Sequence, residues 1–160
     1  MLEFTVSFLG IFLAMEWIAW ALHKFVMHGF LWNLHEDHHT PPKDRWWQKN
    51  DFFAIIFAFP SFFAILFGNI NSNMILSGLG YGIMAYGVIY FAVHEVIIHK
   101  RLTWWNFNGW YWDAIRLAHQ HHHSTNKKEG AINFGMLLPP IKYFTKSKAE
   151  LRKSMMEQLH

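Results

Sequence analysis

The chain of 160 residues contains no cysteine. Disulfides and thiolate ligands are therefore excluded. Any metal must be held by nitrogen and oxygen, which rules out iron–sulfur clusters and cysteine zinc fingers. Lysine and arginine are missing from residues 1–22 and from the turn 68–73, GNINSN. Residues 52–67 and 74–93 carry no charge of either sign, and residues 4–22 carry only Glu16. No A-x-A cleavage site follows the first apolar run, so that run reads as an uncleaved anchor. The zincin pattern H-E-x-x-H is also missing: His94 and Glu95 are followed by histidine at 99, one residue too late.

What is present is apolar and aromatic, 52% and 19% of the chain. This is high for a soluble domain of such length. A helix rises about 1.5 Å per residue, so about 20 apolar residues cross a bilayer core. The charge-poor runs predict spans over about 4–22, 51–68 and 74–93 in a single integral-membrane domain covering 1–160. All lysines and arginines fall in 23–51 or 94–160. With the second and third spans forming a hairpin about 68–73, both basic regions share one face. The positive-inside rule makes that face cytoplasmic, predicting a multi-pass protein of the cell inner membrane with its N-terminus outside. The net charge of +3 is thereby explained without nucleic acid. Trp32, Trp46, Trp47, Trp104, Trp105, Trp110 and Trp112 flank the runs, where an interfacial aromatic belt belongs.

The fold class expected is all-α: three spanning helices plus cytoplasmic helices. The first helix runs from near Glu3 past the membrane edge to His28, and Gly29 stops or kinks it. A cytoplasmic helix over His35–His39 ends before Thr40-Pro41-Pro42. Asp51 is a candidate cap for the second span, which contains Pro60. The third runs from about Met74 to His99, with Gly78, Gly80, Gly82 and Gly87 offering close helix contacts. A further helix covers roughly 109–123. Residues 131–144 are apolar but too short to span, and they read as an interfacial segment. The tail from Thr145 reads as a charged surface helix.

Ten of the twelve histidines fall into four clusters. His23 and His28 form H-x4-H, and His35, His38 and His39 form H-x2-H-H. The pair repeats as His94 and His99, then His119, His122 and His123. Neutral imidazole is the commonest side-chain ligand for first-row transition metals, and ten exceed what one ion holds. Two ions are the natural reading, in cytoplasmic regions 23–50 and 94–160. In H-x2-H-H the three rings share one helix face. In H-x4-H on an α-helix they stand about 140° apart and can flank one point or serve different ions. His121 points away from His119 and His123 and is left outside the set. Hydrolytic zinc needs only three protein ligands, so a dinuclear redox centre that activates O2 fits better. Asp37, Glu95 and Asp113 are candidates to orient the rings, since a ligating histidine donates its other N–H to a carboxylate or carbonyl. Glu16 lies within a span, where acids are costly. It either pairs inside the bundle or borders a substrate path.

The motifs resemble the fatty-acid hydroxylase superfamily of membrane di-iron enzymes, and within it the bacterial β-carotene 3-hydroxylase branch. The resemblance rests on HKFVMHG (23–29), HEDHH (35–39), ND (50–51), AYGVIYFAVHEVIIHKR (85–101), HQHHH (119–123) and KEGAINFG (128–135). It implies two iron ions, with zinc possible in purified protein. It also implies O2-dependent hydroxylation at C3 of a β-ionone ring, taking β-carotene to zeaxanthin through β-cryptoxanthin. The implied partners are a carotenoid drawn from the bilayer, membrane lipids, and a ferredoxin-like electron donor with its reductase. Glu16, Trp20, Tyr86 and Tyr90 are then candidates to line the substrate path, and the basic tail could meet anionic lipids or the donor. The rival readings are a hydroxylase or desaturase of a fatty acyl, sphingolipid or sterol substrate, a ketolase, and a membrane metal transporter. Transport would place ligands near the bilayer midplane, whereas these clusters follow the spans.

Overall fold

The computed structural model describes residues 1–41, 47–102 and 107–145. Among them every regular element is helical. Helix α1 covers Leu2–Leu22 and continues as a π-helical segment, His23–Phe30. Gly29 breaks the helical path there with φ −106° and ψ −122°. Helix α2 covers Trp32–His39 and ends at Thr40. A 3-10 turn, Lys49–Asp51, leads into α3, Phe52–Ile70. Helix α4 covers Met74–Phe91 and continues as a second π-helical segment, Ala92–Ile98. Helix α5 covers Trp110–His122, starting after Gly109 at φ 128°. The short α6 covers Lys142–Thr145. The tail beyond Thr145, and Trp46, Trp104 and Trp105 of the expected aromatic belt, lie outside the described residues.

Three stretches are long and apolar enough to cross a membrane: Leu2–Phe30, Lys49–Ile70 and Met74–Ile98. Their outward faces carry bare hydrophobic side chains such as Trp17, Phe59 and Val88. Water would penalise such surfaces, whereas lipid does not. Pro60 sits inside α3 without ending it. Asp51 holds the N-cap position of α3 as expected, but its side chain makes no cap hydrogen bond to that helix. It closes the preceding 3-10 turn instead, accepting from the Gln48 amide at 2.9 Å, and it pairs with Arg101.

Helix α4 packs between α1 and α3, and its small residues explain how. A Cβ on Gly82 would lie 2.7 Å from the Phe8 carbonyl oxygen of α1. One on Gly80 would lie 2.7 Å from the Ile65 amide nitrogen of α3. Backbone therefore meets backbone on both sides, the close approach that small residues permit in membranes. The Ser61 hydroxyl donates to the Gly80 carbonyl at 2.9 Å and ties α3 to α4. This three-helix base positions the π-helical continuations of α1 and α4.

Gly82→Val is expected to force α1 away from α4, because beside the Ile11 side chain the obstructing atoms include the Phe8 backbone carbonyl. Overpacking of this kind costs about 1–3 kcal/mol. Thermal unfolding in detergent should show the loss, whereas Gly87→Val, with open space around its Cβ position, should leave the midpoint nearly unchanged.

Candidate metal centre

The two H-x4-H pairs lie on the π-helical segments, and this changes their geometry. In a π turn the amide of residue i+5 closes on the carbonyl of residue i, so residues five apart stand about one turn above each other. The His99 amide donates to the His94 carbonyl at 2.9 Å in this way. The α-helical expectation of a wide angle is corrected: the ring centroids lie 4.5 Å apart for His94 and His99, and 5.4 Å for His23 and His28. The H-x2-H-H triplets lie on α2 and α5 and share faces as expected. All ten rings converge beneath the membrane helices. Eight are buried, and His99 and His123 are half-buried.

The nitrogens sort into overlapping groups. His23, His28, His35 and His122 offer ligand atoms within 4.8 Å of one another, as do His38, His94, His99 and His119. His39, His122 and His123 form a third group between them.

Each ring divides its nitrogens between two tasks. His23 Nδ1 donates to the Phe134 carbonyl at 3.0 Å, and His28 Nδ1 to the Lys128 carbonyl at 3.0 Å. His39 Nδ1 donates to the Thr125 carbonyl at 2.8 Å, and His122 Nδ1 to the Ile132 carbonyl at 2.9 Å. These four acceptors belong to one strap, residues 125–134. Side chains orient three more rings. His35 Nδ1 donates to Asn50 Oδ1 at 2.7 Å, His38 Nδ1 to Gln48 Oε1 at 2.8 Å, and His94 Nδ1 to Glu95 Oε1 at 2.6 Å. Glu95 in turn accepts from Arg101 at 2.7 Å, and Arg101 also reaches Asp51 at 2.8 Å.

With the proton held on Nδ1, the Nε2 of a neutral ring is a bare lone pair. Yet His23 Nε2 faces His35 Nε2 at 3.1 Å. His28 Nε2 faces those of His39 and His122 at 3.1 and 3.2 Å. His99 Nε2 faces His119 Nε2 at 2.8 Å. The buried Nε2 atoms of His38 and His123 have no hydrogen-bond partner. Two nitrogens each about 2.1 Å from one ion, at right angles, stand roughly 3 Å apart. Facing acceptors at that spacing fit a shared cation. Neutral nitrogen sets suit iron, zinc, copper or nickel.

Protons do not fill this role easily. Burial pushes His35 and His99 down to about 3 and His39 down to about 4, from an ordinary 6.5. Burial, reinforced by neighbouring rings, also holds His38, His119, His122 and His123 well below the ordinary value.

Aromatic residues enclose the first group. The Phe134 ring lies 5.4, 5.1 and 5.2 Å from His23, His28 and His122, and Trp32 lies 5.0 Å from His28. A cavity of about 210 Å³ opens instead beside the second group, lined by His38, Pro41, Ile98, His99, His119, Gln120 and His123.

The other residues singled out in the sequence are dispersed. Glu95 touches His94 as described. Asp37 accepts from the Lys49 amide at 2.7 Å, and Asp113 from Arg116 at 2.7 Å. Tyr90 stacks on His94 at 5.5 Å. Tyr86 is buried and donates to Glu16 at 2.7 Å. Trp20 is exposed against Phe25 and Lys24. His121 shares a hydrogen bond between Nδ1 and the Tyr143 hydroxyl at 2.7 Å, and it is fully buried. Sequence reasoning did not single out Gln48, Asn50, Arg101 or the strap carbonyls as orienting groups. The ND and KEGAINFG stretches marked two of these places without assigning them a task.

The fold and site together define a membrane protein with a histidine-rich metal centre. The fatty acid hydroxylase family model matches residues 8–147. The chain belongs to the fatty acid hydroxylase family, a class of non-haem iron enzymes. It is 37% identical over 146 residues to the β-carotene hydroxylase of Pantoea ananas, covering 88% of this chain and 79% of that protein. It is 36% identical over 126 residues to the β-carotene hydroxylase of Pseudescherichia vulneris, covering 78% and 70%. The chloroplastic β-carotene hydroxylase 1 of Capsicum annuum is 37% identical over 142 residues, which cover 86% of this chain and 44% of that longer protein. No solved structure matches the chain significantly.

Acid should destabilise the metal-free protein. In the folded chain His35, His39 and His99 titrate below the ordinary 6.5, so the unfolded chain takes up protons first as pH falls. Their contribution is complete above about 6.5 and is lost progressively towards about 3–4. The thermal midpoint of the metal-free protein in detergent should fall steadily across that window. A flat profile would contradict the neutral-ring description.

Proposed function

We propose that the protein hydroxylates C3 of the β-ionone ring, converting β-carotene to zeaxanthin through β-cryptoxanthin. The observation that carries this reading is the convergence of bare, facing imidazole nitrogens at the ends of the apolar helices. The relatives named β-carotene hydroxylase supply the substrate class.

We assign all ten clustered histidines as ligands. His23, His28, His35 and His122 would hold one ion, His38, His94, His99 and His119 the other, with His39 and His123 between. The native metal is iron at two ions per chain, and zinc is expected as a substitute in purified material. When bound, iron supplies O2 activation and oxidation of a C–H bond. One oxygen atom enters that bond as hydroxyl and the other leaves as water. The two electrons come from a ferredoxin-like donor and its reductase, accompanied by two protons.

The chain's own residues do the rest. The strap carbonyls, Asn50, Gln48 and Glu95 fix which nitrogen each ring presents. Phe134 and Trp32 exclude water from the first group. The polyene stays in the bilayer while one ring reaches the centre at the membrane edge. Lysine and arginine lie on the same side of the spans as the histidines, which supports an inner-membrane protein with a cytoplasmic centre.

Expression in a β-carotene-accumulating bacterium should yield β-cryptoxanthin and zeaxanthin on pigment chromatography, and His122→Ala should abolish both. Iron-loaded protein giving no 3-hydroxylated product would end this reading. A keto product would point to a ketolase, and altered fatty acyl, sphingolipid or sterol pools to the wider family.

A further inference from the structure

We infer that Glu16 is a positioning residue for the metal centre, acting through the strap; this rests on the reading of the histidines as metal ligands. Glu16 lies on α1 within the first span and is 7% exposed. Its Oε1 accepts from three successive backbone amides, those of Met136 and Leu137 at 2.9 Å and of Leu138 at 3.1 Å. Its Oε2 accepts from the Tyr86 hydroxyl at 2.7 Å. Four donors thus converge on one side chain. Successive amides form an anion-binding concavity, which offsets the cost of an acid at membrane depth.

The placement of these contacts gives the clasp its purpose. Glu16 and His23 are seven residues apart on one continuous helix, two turns along the same face. Helix α1 therefore grips one segment at two neighbouring points. Glu16 holds amides 136–138, and His23 meets the carbonyl of Phe134, two residues before Met136. Ile132, two residues further back, supplies the acceptor for His122. Through Tyr86 the same carboxylate reaches α4, eight residues before His94. One side chain in the bilayer thus sets the strap against both membrane helices that carry ligands. Without it the strap can slide, and His23 and His122 lose the oxygens that keep their protons on Nδ1.

The test uses the full chain in detergent, stripped of metal and titrated with Co(II). Glu16→Ala should weaken binding about 10–100-fold, as loss of ring-orienting partners does, and should alter the ligand-field spectrum. Glu16→Gln keeps an oxygen for the amides and should restore most of the affinity and the wild-type spectrum. Gly135→Val attacks the same contact from the residue just after the strap, because a Cβ there would lie 3.2 Å from Glu16 Oε1. It should reproduce the Glu16→Ala spectrum, and it serves as the test if Glu16→Ala fails to fold. Folded variants that bind Co(II) with wild-type affinity and spectrum would overturn the inference, as would Glu16→Gln behaving like Glu16→Ala. Wild-type protein that binds Co(II) yet makes no hydroxylated carotenoid would defeat the substrate assignment and leave the clasp standing.

Discussion

An imidazole has two nitrogens, and in this protein one is given over to orientation so that the other is left bare. Seven rings donate Nδ1 to a fixed oxygen, counting His23, His28, His35, His38, His39, His94 and His122. Their lone pairs are then aimed inward, several at one another across about 3 Å. Such an arrangement is repulsive until a cation shares the electrons. Burial lowers the proton affinity of His35, His38 and His122, so protonation is a poor remedy and a metal a good one. The helices, the π turns and the strap all serve to maintain that convergence.

The membrane helices contribute by being close. Glycine faces on α4 let α1 and α3 approach to backbone distance, which brings the π-helical continuations of α1 and α4 within reach of one centre. The outward faces remain apolar and need no further order. The histidine cluster accordingly gathers at one end of the apolar helices.

Much of this was legible from residue spacing. The three spans follow from the length of the charge-poor apolar runs, the break at Gly29 from the glycine itself, and the shared faces of both H-x2-H-H triplets from helical periodicity. The angle of His121 likewise separates it from its neighbours, although nothing in that angle foretells its full burial against Tyr143. The H-x4-H pairs were misread as widely splayed because α-helical geometry was assumed. A π turn leaves no mark in HKFVMHG or HEVIIH that spacing alone can detect. The strap escaped for a different reason: its acceptors are main-chain carbonyls, which every residue type supplies. Asp113 looked suitable by charge and proximity in sequence, yet its carboxylate meets Arg116 on its own helix. Gln48 and Asn50 act at a distance in the chain that no periodic pattern connects to His38 and His35.

The strap follows every clustered histidine in chain order. During synthesis the ten rings therefore leave the ribosome before the oxygens that orient four of them. Until residues 125–138 arrive and dock against Glu16, His23, His28, His39 and His122 are free to switch tautomer. The tautomers of these four rings are thus set by a loop that comes later in the chain than any of the rings themselves.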